Sequence, residues 1–269
     1  MDLATVVGLI GTIVIIGVVM IMDGGSPAEL FHHSAPIILT MGGSAVAATV
    51  FGPLQTVLNI PKFLKIAFFE THFDTIQTID KISEMADKAR REGLLALEEE
   101  SKTIEDKFLQ KGIMLVVDGI EPAAVRTILE LEIHQMEQRH HQGINWFETA
   151  GGLAPTFGII GTVMGLISVL KQLDDPAAFT AAIAAAFLAT LWGLISANVF
   201  WLPIGGKLTT RSHHEVSYRH MLLEGVMALQ AGENPRLIRE KLNAFLSPAE
   251  REKSVDKPAG AAGKAGAAA

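Results

Sequence analysis

The chain has 269 residues, of which 49% are hydrophobic and none is cysteine, so it contains no disulfide and uses no thiol chemistry. Its formal net charge is -7, and we predict no nucleic-acid partner. The positions of the charges are more informative than their sum, because long segments of the chain carry none.

Four stretches without Asp, Glu, Lys, Arg or His are long enough to cross a bilayer, which takes roughly 20 residues of helix. We expect the first to be a retained helix, because Met1-Asp2 gives no positive start and Met22-Asp23-Gly24-Gly25 is a poor cleavage site for a signal peptide. The predicted spans are about 3–22, 35–57, 149–170 and 178–203. The sequence therefore predicts an all-α, polytopic membrane protein with four transmembrane helices and a helical cytoplasmic domain.

The positive charges indicate how these spans are oriented. Of the 22 Lys and Arg residues, 11 lie in 62–146 and 10 lie after Leu202, whereas the loop 23–33 has none and the loop 171–176 has only Lys171. Because positive residues stay on the cytoplasmic side, both large polar segments and both termini are predicted to be cytoplasmic.

The predicted organisation is two transmembrane hairpins separated by a cytoplasmic helical domain. Within that domain, Gly93 and Gly112 are expected to break or cap helices, and Pro122 is expected to begin one. The final residues are of low complexity and have no apolar face to bury, so they are predicted to be disordered. The segments are the first hairpin 1–61, the cytoplasmic domain 62–146, the second hairpin 147–204, cytoplasmic C-terminal helices 205–247 and the tail 248–269.

The third and fourth spans carry small and weakly polar residues and no charge. A charge at the bilayer centre costs at least ~3 kcal/mol, so proteins that move ions usually reveal themselves by retaining one. Any ion-binding carboxylate would therefore have to come from another polypeptide. Gly161 and Gly165 form a GxxxG pair that lets helices approach closely. Thr162 and Thr190 could bond their own backbone or offer an oxygen to an ion, and the residues alone favour simple packing.

Two prolines lie near the presumed cytoplasmic ends of these spans. Pro155 and Pro203 could begin or end a helix there, or a proline kink could form a hinge. The residues themselves leave both alternatives open.

The stretch "KARREGLLALEEE", residues 88–100, places three positive charges before a run of acidic residues. A solvated helix face with local ion pairs would explain it, but this polarity also suits a partner with the complementary pattern. Histidines occur in adjacent pairs that point in different directions on a helix, so no metal site is predicted. No catalytic motif is present, and we predict neither an enzyme nor a cofactor. The histidine pairs are His32-His33, His140-His141 and His213-His214.

Three motifs together resemble the MotA/PomA family of flagellar motor stator proteins over essentially residues 1–247. They are "ARREGLLALEEE" at 89–100, "VVDGIEPAAVRTILELEI" at 116–133, and "APTFGIIGTVMGLI" with "FLATLWG" and "FWLPIGGKL" across the last two spans. Their order, spacing and four-span arrangement agree together, whereas the third-span motif alone is also similar to TolQ and ExbB.

The resemblance implies a stator subunit of the bacterial inner membrane that converts an ion-motive force into torque. Five copies would surround two helices of a MotB-type, peptidoglycan-anchored partner, whose aspartate would bind the ion. Membrane lipid would surround the complex. The resemblance also implies that Arg90 and Glu98 engage the rotor protein FliG, with Arg91 and Glu99 as supporting charges.

The resemblance further places the ion path and its coupling in the last two spans. Thr162 and Thr190 match threonines associated with the path, and Pro155 and Pro203 match the prolines linked to coupling. Sodium-type members have a threonine just before the second of these threonines, where this chain has Ala189, and this difference favours protons. Some proton-type members lack the threonine matched by Thr162, so Na⁺ stays the alternative ion.

Two other functions are consistent with part of the pattern. A TolQ/ExbB-like, proton-driven energiser of an envelope process would have three spans and lack "ARREGLLALE", so the four predicted spans favour the stator. A membrane scaffold without ion flow is the other alternative.

Overall fold

A computed structural model describes residues 2–69, 73–170 and 176–255. These residues form helices and no strand, which confirms the predicted all-α class. Four helical stretches are long and apolar enough to cross a membrane, so the chain is a multi-pass membrane protein. They are, or lie within, Leu3–Met22, Ser34–Phe51, Pro122–Leu170 and Pro176–Gln230.

The helices are numbered in chain order. In the first half of the chain they are α1 Leu3–Met22, α2 Glu29–His32, α3 Ser34–Ile37, α4 Gly43–Ala48, α5 Leu54–Leu58, α6 Ile60–Phe68, α7 Thr75–Glu92, α8 Leu97–Ser101 and α9 Lys107–Val117. In the second half they are α10 Pro122–Leu170, α11 Pro176–Ile195, α12 Leu202–Gln230, α13 Pro235–Asn243 and α14 Pro248–Val255. The π-helical turns Ile38–Gly42 and Ser196–Trp201 join α3 to α4 and α11 to α12.

The second span ends before the predicted boundary at 57. A 3₁₀ turn, Thr49–Phe51, closes it, Gly52 is extended, and Pro53 follows. Proline disfavours the helical conformation in the residue before it, so the helix stops although the sequence stays apolar. The apolar residues after Pro53 form the separate helices α5 and α6.

The third and fourth spans continue into polar sequence without a break. The helix predicted to begin at Pro122 and the span predicted at 149–170 are one helix, α10. On the other side, α11, the π turn Ser196–Trp201 and α12 follow one another directly as far as Gln230. The predicted boundaries at 146 and 204 therefore do not coincide with helix ends.

The described residues divide into two compact units. The first comprises residues 2–69 and Gln138–Ser212, which include the four spans, and the second comprises residues 73–137 and 213–255. Each unit has its own buried apolar clusters.

Asp2 fixes the start of α1 in the first unit. Its carboxylate accepts hydrogen bonds from the backbone N–H groups of Ala4 and Thr5, at 3.1 and 3.3 Å, and so caps the helix. The same side chain forms ion pairs with Lys207 and with Arg211 of α12, the latter at 2.9 Å. The hydrogen bond from Lys207 is the main cause that lowers the pKa of Asp2. The carboxylate is therefore charged at neutral pH and ties α1 to α12.

Two glycines of the second unit have different roles. Gly93 ends α7 with a φ of +88°, as expected of a helix cap. Gly112 does not break a helix, because it lies inside α9, where a Cβ would stand 2.8 Å from the Val226 side chain and 3.4 Å from that of Leu129. It is a close-packing residue, and the sequence pattern alone misassigned it.

The predicted disordered tail begins with an ordered helix. In α14, Glu250 accepts a hydrogen bond from the backbone N–H of Ser247 at 3.0 Å and another from the Ser247 hydroxyl at 2.6 Å. Both bonds are accepted by the same Glu250 oxygen, which satisfies the backbone donor of Ser247 and stabilises the start of α14 despite its polar sequence. The rest of the predicted tail, residues 256–269, lies outside the described residues.

Candidate functional site

The residues predicted to form the ion path and the rotor contact lie in two places, one in each unit. The first is the contact between the third and fourth spans, in α10 and α11. The second is the charged segment, which we define as residues 87–102.

Gly158 and Gly193 bring the backbones of α10 and α11 together. A Cβ on Gly158 would lie 3.2 Å from the Cα of Thr190 and 3.3 Å from that of Gly193. A Cβ on Gly193 would lie 2.9 Å from the carbonyl oxygen of Ala154. The neighbouring atoms belong to the backbone and cannot rotate away, so only hydrogen fits at either position.

The same contact continues along both helices. A Cβ on Gly161 would lie 2.6 Å from the Cβ of Ala189, and one on Gly165 would lie 3.0 Å from the Cα of Ala186. The predicted GxxxG pair thus packs against small residues of the fourth span. Gly158 was not predicted, although it lies three residues before Gly161 and on the same face, and this helical spacing is the signal that could have revealed it.

Thr162 and Thr190 meet across the contact. Their hydroxyl oxygens are within hydrogen-bond distance of each other, and the Thr162 hydroxyl also lies 3.0 Å from the carbonyl oxygens of Gly158 and Ala186. A hydroxyl has one proton to donate, so the Thr162 proton has three alternative acceptors. The structure thus brings the two predicted residues together, with their hydroxyl oxygens side by side at the contact between α10 and α11.

Ala189 is buried, with 2% of its surface exposed. Its methyl group faces Gly161 of the neighbouring helix. A threonine at this position would add two further heavy atoms beside α10. In this chain, residue 189 therefore contributes close packing and no side-chain oxygen.

Neither predicted proline begins or ends a span. Pro155 lies inside α10, and Pro203 follows the π turn Ser196–Trp201 within continuous helical structure. Each removes a backbone donor from the helix, and a π turn lies just before Pro203 whereas α10 stays α-helical through Pro155. The helices are in contact close to both prolines. Gly151 lies one turn before Pro155, and Leu202 directly precedes Pro203. A Cβ on Gly151 would stand 2.6 Å from the Leu202 side chain. The position inside helical structure removes the helix-end alternative for both prolines, and their role as hinges stays a prediction.

Ion pairs within the chain occupy several side chains of the charged segment. The pairing raises the pKa of Lys88, chiefly through its hydrogen bond to Glu100, and lowers the pKa of Glu99, chiefly through its hydrogen bond from Lys102. Lys88–Glu100 connects α7 to α8, whereas the other two pairs are each local to one helix or its end, and all three leave their members less available to a partner. The pairs are Lys88–Glu100 at 2.8 Å, Arg91–Asp87 at 2.7 Å and Glu99–Lys102 at 2.9 Å.

Arg90 and Glu98 differ from their predicted supporting residues. Both are exposed, and within the part of the chain that the structure describes neither side chain forms an ion pair or a hydrogen bond. Arg91 and Glu99 are exposed as well but are paired inside the chain. Of the four charges predicted to contact the rotor, the two without an ion pair in the described residues are thus Arg90 and Glu98, which had the leading role in the sequence-based prediction. Glu92 is a further exposed charge of the same segment, and it too forms no ion pair with a described residue.

The histidine pairs do not form a metal cluster in the described ranges. No three His, Asp or Glu side chains converge there. The Nδ1 atom of His140 instead lies 3.0 Å from the Ser212 hydroxyl.

Comparison with known proteins places the whole fold in a known group. Residues 100–221 match the model of the MotA/TolQ/ExbB proton channel family. Motility protein A of Treponema phagedenis is 37% identical over 253 residues, which cover 93% of this chain and 96% of that protein. Chemotaxis protein PomA of Vibrio alginolyticus is 38% identical over 257 residues, covering 96% and 100%. The MotAB structure of C. jejuni matches with a TM-score of 0.87 at 32% identity, covering 96% of this chain and 98% of that one.

Proposed function

The chain belongs to the MotA/TolQ/ExbB proton channel family and is a MotA-like flagellar stator subunit, and we propose that it conducts H⁺ with a MotB-type partner and drives the rotor protein FliG. As a member of a channel family, it is not an enzyme. The observation that carries the proposal is a close contact between two uncharged spans that presents a pair of hydroxyls.

The partner supplies what the spans do not contain. Residues 149–170 and 176–206 have no Asp, Glu, Lys, Arg or His, so a carboxylate that binds the ion must come from a second polypeptide. Two solved structures with this fold are MotAB complexes, which supports a MotB-type partner here. On this proposal five copies surround that peptidoglycan-anchored partner, and Thr162 and Thr190 line the path.

The distribution of positive charges supports an arrangement in the membrane. We place the chain in the bacterial inner membrane with both termini in the cytoplasm, because 21 of the 22 Lys and Arg residues lie in 62–146 and after Leu202. The charged segment is then on the cytoplasmic side, where Arg90 and Glu98 engage FliG. Pro155 and Pro203, both within continuous helices, would act as hinges that transmit ion binding to the cytoplasmic helices.

The test is complementation of a strain that lacks its own stator genes. Swimming should return only when this chain is produced together with its MotB-type partner. Production of either protein alone, or of a partner whose membrane aspartate is replaced by asparagine, should leave cells immotile. Immotile cells that contain both intact proteins at normal membrane levels would contradict the function.

The choice of ion gives a second test. Relatives named Motility protein A and PomA are about equally similar to this chain, so the choice rests on individual residues. Ala189 adds no oxygen to the site beside Thr190, which supports protons over sodium. Swimming speed should therefore stay flat when external sodium replaces potassium at fixed pH and ionic strength. A speed that rises steeply with sodium would assign the chain to the sodium-driven type.

A further inference from the structure

Leu95 is a large apolar side chain displayed at the turn between α7 and α8. Helix α7 ends at Gly93, and the 3₁₀ turn Leu94–Ala96 follows. Leu94 packs against the core of the second unit and Leu97 is fully buried, whereas Leu95 is 74% exposed. Leu94 and Leu97 therefore pack inward, and Leu95 is presented to solvent.

The setting of Leu95 distinguishes it from other exposed leucines, which are common on protein surfaces. It lies in sequence between Arg90 and Glu98, two exposed charges that form no ion pair within the described residues. Protein interfaces often combine an apolar side chain, which becomes buried, with surrounding polar and charged groups. The turn has this composition on one short segment.

We propose that Leu95 is an apolar anchor of the rotor-binding surface. It inserts into an apolar pocket on the rotor protein, which also carries an acidic group for Arg90 and a basic group for Glu98. The inference rests on the proposed function, in which the charged segment engages the rotor. It adds an apolar contact to an interface so far defined only by charge.

The charged contacts and the apolar contact affect different steps of binding. Exposed charges steer and orient the partner, and salt screens them over about 10 Å at 0.1 M. Burial of a leucine is insensitive to such screening and mainly slows dissociation. Leu95 therefore sets how long the stator stays engaged, and the charges set how readily it engages.

The experiment measures how long fluorescently labelled stator units remain at single motors, with torque on a tethered bead recorded in parallel. Leu95→Ala should shorten the dwell time about tenfold, because the contact made by the side chain beyond Cβ is lost. Leu95→Met preserves volume and should retain most of the dwell time. Leu237→Ala is the matched control, because Leu237 lies on α13 of the same unit and is 48% exposed. This substitution should leave the dwell time unchanged.

The outcomes separate this inference from the proposed function. An unchanged dwell time in Leu95→Ala, together with slower recruitment of Arg90→Glu and Glu98→Lys stators to motors, would overturn the anchor alone. An unchanged dwell time in Leu95→Ala together with unchanged recruitment of the two charge variants would overturn the rotor contact as well. A photo-crosslinking residue at position 95 should join the chain to the rotor protein. A crosslink to a second copy of this chain, or a loss of assembled complex in Leu95→Ala, would also overturn the anchor.

Discussion

Cells whose only copy of this chain carries Glu98→Lys should build flagella and hold normal amounts of the protein in the membrane, yet fail to swim. Glu98 is exposed and its side chain makes no ion pair or hydrogen bond within the described residues, so its replacement breaks no specific contact of the fold. Substitutions at such surface positions usually change stability by no more than about 0.5 kcal/mol. A reversed charge at an interface replaces attraction by repulsion, and we expect engagement with the rotor to fall on the order of tenfold or more.

The matched control makes the same charge reversal at a different surface position. Glu240→Lys, on α13 of the same unit, reverses another exposed carboxylate and should leave swimming intact. Glu99→Lys should have a smaller effect than Glu98→Lys, because Glu99 already shares its charge with Lys102 inside the chain. Torque per stator unit is the measurement. Equal losses in Glu98→Lys and Glu240→Lys would indicate a general charge effect and contradict the assigned contact.

Arg90 offers the reciprocal test. Arg90→Glu should reduce torque as Glu98→Lys does, and a matching charge reversal on the rotor protein should restore part of it. The recovered fraction measures the pairwise interaction, which single substitutions cannot isolate. No recovery with any charge reversal on the rotor would mean that Arg90 acts within the stator and not at the contact.

Structural features that depend mainly on one physical rule could be predicted from the sequence. Runs without charge predict membrane helices because a buried charge is costly, and the four spans follow from that rule alone. Local rules also placed the helix end at Gly93, where the backbone adopts a positive φ. The end of the second span was missed because Gly52 and Pro53 stop the helix inside an apolar run, which a rule based on charge does not detect.

Packing between helices could not be predicted in the same way. Gly112 was predicted to break or cap a helix. The structure shows that it is a glycine because the side chain of Val226, more than a hundred residues away in the sequence, leaves no room for a Cβ.

The pairing of Lys88 with Glu100 likewise needed the fold, because the two residues lie on different helices. Arg91 and Asp87, in contrast, are four residues apart on α7, a spacing at which the sequence alone suggests an ion pair. For Gly112 and for Lys88, the sequence supplies the residue type, and the neighbour decides its role.

Gly193→Ala is expected to abolish ion conduction and swimming. The added Cβ would lie 2.9 Å from the Ala154 carbonyl oxygen and 3.0 Å from the Gly158 Cα, so α10 and α11 must move apart by a few tenths of an ångström or more. Overpacking of this kind typically costs about 1–3 kcal/mol, and here the neighbours are backbone atoms that have no other rotamer. The same displacement would separate the hydroxyl oxygens of Thr162 and Thr190, whose contact depends on the close approach of the helices.

Two glycines of the spans provide matched controls for that substitution. A Cβ on Gly152 of α10 or on Gly11 of α1 would meet no atom of the described chain within 4 Å, so alanine at either position should be tolerated. Conductance measured in vesicles that contain the complex separates a closed path from a complex that fails to assemble. If Gly193→Ala assembles and conducts as well as Gly11→Ala, the close contact of the two spans is packing alone. The ion path must then lie on another face of α10.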